Sequence, residues 1–266
     1  MHWKALALSL LVEHGFGQAP PAVPGRPAMM RFHCSQLVVD RLDPLVTPGQ
    51  VPSPHLHQIV GGNSFNATMD PADHDPVQLS TCTSCAFKED MSNYWTAVMY
   101  FRARNGTYKR VPQHPEDFLY GNGGITVYYI PPIDGVTNVT AFRPGFRMLV
   151  GDAALDKPGN EQKVCHRCMP ETGEMSNLNC AAPDSQELPK EMCPGGIRSV
   201  ITFPTCWDGV NLDTPDHRSH LAYPVNGTYF DRTNKCPPSH PVQVPQVMFE
   251  VRWDVSASIL HGVRAE

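Results

Sequence analysis

The 266-residue sequence has no uninterrupted run or stripe of lysine and arginine, and its formal net charge is −5. That balance leaves no basic footprint for a polyphosphate, so nucleic acid is not an expected partner. Beyond the first twenty residues no segment approaches the roughly 18 consecutive apolar residues that a membrane span requires. Convincing amphipathic helical periodicity is also missing, which argues against an α-rich fold. The familiar catalytic fingerprints are absent as well. There is no G-x-S-x-G elbow, H-E-x-x-H helix, P-loop or G-x-G-x-x-G turn, so nothing indicates a serine hydrolase, a zincin or a nucleotide enzyme, and no cofactor is expected.

What the chain has in quantity is punctuation. It contains 27 prolines and 20 glycines, with 41% hydrophobic and 18% charged residues, the composition of a globular, turn-rich protein. Segments 31–39, 93–104, 107–111, 124–132, 139–152, 197–204 and 247–255 are rich in β-branched and aromatic residues and are bounded by Gly, Pro or Asn, as strands are. Asn105-Gly106 between two of them predicts a β-hairpin. Residues 156–194 are polar, hold four of the nine cysteines and follow neither a helical nor a strand period, which predicts a long disulfide-held loop. The expected fold is all-β, an antiparallel sandwich or jelly-roll with long disulfide-held loops.

Residues 1–19 read as a secretory signal: a charge at Lys4, an apolar stretch from Ala5 to Val12 and the small-x-small site Gly17-Gln18-Ala19. Residues 20–30 form a proline-rich lead-in, so the domain is expected over 31–266. Four N-x-T sequons, at Asn66, Asn105, Asn138 and Asn226, suit a secreted glycoprotein. So do the nine cysteines. "CTSC" and "CHRC" have zinc-ligand spacing, but four-thiolate zinc needs reduced sulfur, and an oxidising compartment favours disulfides. An odd total leaves one thiol over, either free or paired outside this chain.

Two constellations carry candidate chemistry. His55 and His57 stand at i and i+2 in a segment that Gln58 to Gly62 continues as a strand, so they would share a face and converge on a metal, a phosphate or a sugar hydroxyl. A zinc or copper site would need a third ligand from His217, His220 or His240. In the alternative, Pro52-Ser53-Pro54 sets a rigid bend and the histidines satisfy buried carbonyls.

The second constellation is denser. "CWDGVNLDTPDHRSHLAYP" (206–224) supplies Asp208, Asp213, Asp216, His217, His220 and Tyr223 as candidate catalytic residues. Carboxylates beside an aromatic ring suit carbohydrate, because sugars stack on the indole while acids bind hydroxyls or act as acid and base. A lyase would instead use His or Tyr as base and Arg to neutralise a uronate. The substrate-binding candidates are His55, His57, Trp95, Trp207, Arg218 and His240. The alternative is a polar knot in which the aspartates cap loop amides and do no chemistry.

The segments "RFHCSQLVVDRLDPLVTPGQVPSPHLHQIVGGNSFNATM", "SNYWTAVMYFRARNGTYKRVP", "FRPGFRMLVGD", "FPTCWDGVNLDTPDHRSHLAYP" and "CPPSHPVQVPQVMFEVRWD", in this order, resemble the secreted fungal DUF1996 family, a domain of unknown function. The resemblance covers about 31–254. It implies a secreted, β-rich protein, sometimes linked to WSC carbohydrate-binding modules, with a role at cell walls or polysaccharides, and it supplies no reaction. Family members continue to a Gly-His-Asp-Tyr motif, so this chain resembles a C-terminally truncated member, and its segment 163–184 is richer in cysteine than theirs. The expected function is a secreted glycoprotein that binds or processes cell-wall polysaccharide through a polar Asp/His groove. If it is an enzyme, it is a carbohydrate-active hydrolase or lyase. A non-enzymatic wall-associated protein and a His-based metalloprotein are the alternatives.

Overall fold

The strand with most to bury is Gln246–Trp253 (β13), in which seven of eight residues are inaccessible to solvent. A strand buried on both pleat faces needs a cover on each side. The computed structural model, which describes residues 29–114, 123–132, 137–152, 163–172, 180, 182–225 and 235–256, provides two different covers. β13 is central in a five-stranded antiparallel sheet. On one side lie Ile125–Ile130 (β7) and Met30–Cys34 (β1), on the other Ile197–Thr202 (β9) and Val164–Cys168 (β8).

One face of this sheet is apolar. Phe32, Ile125, Val127, Val247, Phe249, Val251 and Trp253 project from it into a cluster that includes Val60 and Tyr94 of a second sheet. That second sheet is formed by Val38–Asp40 (β2), His57–Gly61 (β3) and Asn93–Ala97 (β4), again antiparallel. The two layers form the expected all-β sandwich. Segment 31–39 bridges them. It splits into β1 and β2 because Ser35 N–H turns to the Ser84 carbonyl and Leu37 N–H to that of Ile59.

The opposite face carries buried polar groups among a smaller apolar set. Strand register lines up Arg252, Arg198 and Arg167 across β13, β9 and β8. The Asp184 carboxylate bonds the guanidinium of Arg167 and, at 2.9 Å, that of Arg198, a side chain with no solvent exposure. Tyr128 Oη donates to buried Glu250 at 3.0 Å, and burial together with that carboxylate holds its phenol well above the ordinary range.

Two sequence expectations are corrected. Segment 139–152 contains no strand: a turn at Pro144-Gly145, with Gly145 at φ +82°, interrupts it, and its amides bond to the scattered carbonyls of Gln243, Leu212 and His217. Its apolar alternation reflects packing of Phe142, Phe146 and Met148 around Trp207. Segment 156–194 does contain a strand, β8. The residues it turns inward include Cys165 and Arg167, buried by a disulfide and an ion pair, so no hydrophobic period marks it.

The hairpin at Asn105 is present. Tyr100–Arg102 (β5) pairs with Tyr108–Arg110 (β6), while β4 breaks off at Ala97 to pair with β3. Among the described residues the one complete helical turn is Pro76–Leu79 (α1), started by an Asp75 cap on the Val77 amide. Four disulfides join Cys34–Cys85, Cys165–Cys180, Cys168–Cys193 and Cys206–Cys236. Neither C-x-x-C closes on itself, and Cys82 is free and exposed. The signal, most of the proline-rich lead-in and Asn226 lie outside the described residues.

Asp184→Ala leaves two buried guanidiniums without their carboxylate, and it should lower unfolding stability by about 3–5 kcal/mol in denaturant titration. Thiol titration of the folded, unreduced protein should find one reactive thiol per chain, abolished by Cys82→Ser.

Candidate functional site

The motif 206–224 starts on a short strand and ends on another. Cys206–Trp207 (β10) sits between Leu221–Ala222 (β11) and Val242–Gln243 (β12) in a three-stranded antiparallel sheet, and the Cys206–Cys236 disulfide ties the first strand to the segment before β12. The loop between β10 and β11 carries most of the candidate catalytic groups, and most of them bond to the loop itself.

Asp208 accepts from the amides of Val210 (2.8 Å) and Asn211 (2.9 Å) and from the Asn211 side chain. Asp216 Oδ1 accepts four bonds, from Thr214 Oγ1 (2.8 Å), the amides of Arg218 (3.1 Å) and Ser219 (3.0 Å), and Ser219 Oγ (2.9 Å). Donors converging on one carboxylate favour its charged form. The Ser219 amide is the largest influence holding Asp216 far below the ordinary carboxylate range. At Asp208 burial works in the opposite direction but is outweighed by the Val210 and Asn211 bonds, so its pKa is also lowered.

His220 is fully buried, with Nδ1 3.0 Å from Thr214 Oγ1 and Nε2 2.8 Å from the Arg147 carbonyl, so both ring nitrogens are engaged. The Tyr223 hydroxyl donates to the Thr202 carbonyl at 2.6 Å, and the Arg218 guanidinium to that of Gly151. His240 reaches the same loop through Nε2, 3.0 Å from the Ser219 carbonyl.

Asp213 and His217 differ from the rest. His217 Nδ1 lies 2.6 Å from Asp213 Oδ1, with side-chain exposures of 18% and 24%, so the pair is accessible. His217 also has φ +54°, the left-handed region that costs a non-glycine residue about 1–2 kcal/mol. Its carbonyl accepts from the Leu149 amide and its amide donates to the Thr214 carbonyl, which together hold it there.

The proposed aromatic platforms are not free. Trp207 is 2% exposed, with Nε1 donating to the Asn211 carbonyl at 2.6 Å, Phe146 edge-on at 5.7 Å and the Arg143 guanidinium 5.1 Å over the ring. No face remains for a sugar. Trp95 is partly buried, with Phe65 against it at 5.8 Å.

The histidine pair is corrected in a related way. His57 opens β3 but His55 precedes the strand, exposed on the proline bend, so the two do not share a pleat face. Their rings stand 6.5 Å apart, and His57 Nδ1 is 2.9 Å from the Leu42 carbonyl. Among the described residues the one group of three His, Cys, Asp or Glu side chains close enough to share an ion is Cys165, Cys180 and Asp184. Its sulfurs form a disulfide and its carboxylate holds two arginines, so it is not a metal site.

Sequence reasoning missed a cleft of about 530 Å³ along β8, lined by His166, Ser185, Gln186, Glu187, Lys190 and Glu191 among others. Ser185 exchanges both backbone bonds with His166 (2.7 and 3.0 Å), so segment 183–191 continues the sheet edge and then turns outward. The signal was present in the sequence. "CHRC" places a histidine and an arginine on consecutive positions, which a strand turns to opposite faces, and "PDSQELPKE" downstream is dense in hydrogen-bonding side chains. Nothing local states that the two meet. Three described sequon asparagines, Asn66, Asn105 and Asn138, are exposed. At Asn105 the Thr107 hydroxyl donates to Oδ1 at 2.7 Å.

The family model of DUF1996, a domain of unknown function, matches residues 43–263. No curated protein and no solved structure matches the chain.

Asp216→Ala removes four bonds from one loop and should cost about 1–2 kcal/mol at neutral pH by thermal or denaturant unfolding. The folded-state pKa is depressed, so the Asp216 contribution is complete above the ordinary value of 3.8 and disappears as pH falls below it. The gap between wild type and variant should therefore narrow on acidification.

Proposed function

The chain belongs to the DUF1996 family, and we propose that it is an extracellular protein that binds cell-wall polysaccharide and does no chemistry on it. The observation that carries this reading is the occupation of the Asp/His motif by its own backbone. Asp208 and Asp216 are spent on loop donors, both nitrogens of His220 are bonded, and Trp207 has no open face. A motif of that kind orders loops. The seat for a ligand is then the cleft along β8, where hydrogen-bonding side chains surround a volume within the roughly 300–1,000 Å³ of small-molecule sites. Four disulfides, and no helix among the described residues long and apolar enough to cross a membrane, are consistent with an extracellular place.

A second reading rests on the Asp213–His217 pair. A carboxylate on Nδ1 fixes the tautomer that leaves Nε2 as a base, the arrangement general-base catalysis uses. In this reading the protein is a polysaccharide hydrolase or lyase, and the strained His217 backbone serves catalysis.

A panel of wall glycans, assayed both for equilibrium binding and for released product, separates the two. The binding reading expects a bound glycan, no product, affinity weakened by Glu187→Ala and Glu191→Ala in the cleft, and affinity unchanged in Asp216→Ala. Product release by the wild type, lost in His217→Gln at unchanged stability, would establish the enzyme instead. If no glycan binds, both readings fail.

A further inference from the structure

The cations of this acidic chain are not evenly spread. Between Asp90 and Glu116 there is no carboxylate, and Arg102, Arg104, Lys109 and Arg110 fall within nine residues. In the sequence they are interrupted by Ala103 and by 105–108. Strand pairing removes the interruption. The register of β5 against β6 sets Tyr100 opposite Arg110 and Arg102 opposite Tyr108, and directly opposed residues of an antiparallel pair point to the same side.

Phe101, between Tyr100 and Arg102, packs against the main core, which fixes the other face of the ribbon outward. That outer face is a checkerboard of two tyrosines and two arginines, with Tyr100 41% and Tyr108 67% exposed. Arg102, Arg104 and Lys109 have no ion pair among the described residues. Arg110 is held in place through a 3.2 Å bond to the side chain of Gln36. The ladder continues toward the tip through the Ala103 amide on the Thr107 carbonyl, and at the base through the Val111 amide on the Met99 carbonyl.

Two large aromatic rings exposed side by side on one ribbon face are apolar area left in water unless something covers them, and the guanidiniums beside them carry charge that no carboxylate on the hairpin offsets. We infer that this face is a docking surface for an acidic polysaccharide, a uronate-bearing glycan chain. Flat phenol rings present stacking surfaces to pyranose rings. Each guanidinium fork matches a carboxylate bidentately. Positions i and i+2 on one strand recur about every 7 Å, so ring and charge contacts alternate along an extended chain. The partner's charge follows from the protein's own. With four cations gathered on the hairpin and a net charge of −5 for the chain, the rest of the surface repels anions, which favours a narrow contact with a single polyanionic strand.

This surface is separate from the cleft along β8. It depends on the proposed function only in the choice of a glycan as partner. The test uses the full chain and polygalacturonate, with its fully methyl-esterified form, a single-stranded oligonucleotide and phosphatidylserine vesicles as competing probes. Polygalacturonate should bind, more weakly as salt rises, and esterification should abolish binding because it removes the charge while keeping the rings. Arg102→Glu and Tyr108→Ala should each weaken binding by about fivefold or more with unchanged unfolding midpoints. Lys88→Ala, at an exposed cation outside both the hairpin and the cleft, should leave polygalacturonate binding unchanged, and an uncharged wall glycan seated in the cleft should not compete with polygalacturonate, so failure of the cleft reading and failure of this one are distinguishable. Asn105→Gln should also leave it unchanged, since a glycan at the tip lies beyond the checkerboard. The proposal is overturned by no polygalacturonate binding, by equal binding of the ester, by tighter binding of oligonucleotide or vesicles, or by a Tyr108→Ala protein that folds and binds as the wild type does.

Discussion

The carboxylate of Asp184 between the guanidiniums of Arg167 and Arg198 is the contact on which one side of the molecule depends. Removing three charges from water is expensive, and an arrangement of this kind is tolerated only when each charge is met by another. The two arginines sit on neighbouring strands in direct register, so their like charges would repel across the sheet without the carboxylate. Asp184 belongs to neither strand. It arrives on a segment tethered by Cys165–Cys180 before it and Cys168–Cys193 after it. The ion cluster therefore fixes where that segment meets the sheet edge. From there, Ser185 extends the ladder and 186–191 form the outer wall of the cleft.

The same division of labour appears at the β10–β11 loop. Its residues have the side chains of an active site, but a group already bonded to loop amides is a poor proton carrier, because the charge that would move is the charge those amides stabilise. The loop instead fixes β11 against β10 and holds Phe146 and Met148 around Trp207. One pair departs from this pattern. Asp213 and His217 are accessible, and His217 is held in a backbone conformation that its side chain does not favour.

How much was legible depended on the range of the interaction. The Asn105-Gly106 hairpin was readable because turn chemistry and strand period are local, and the observed ribbon follows both. Segment 139–152 was misread because its alternating apolar residues pack around a tryptophan while its amides bond to three separate loops. β8 was missed for the converse reason: its inward residues are a cysteine and an arginine, which look like solvent-facing residues until a disulfide and a carboxylate bury them. His55 and His57 were assigned one face because period-two spacing implies it, but the strand begins only at the second of them.

By itself the sequence determined the all-β class, the family, the odd thiol and the density of polar groups in 206–224. These follow from composition, from short-range turn and strand preferences, and from the oxidising chemistry that nine cysteines imply. Tertiary structure alone decided which cysteine is left over, which polar residues are consumed as caps, that Trp207 is closed to a ligand, and that scattered cations share one face with two tyrosines. Each of those depends on partners distant along the chain or across a strand register. Burial, ion pairing and covalent pairing at such distances leave no local pattern for a sequence to display.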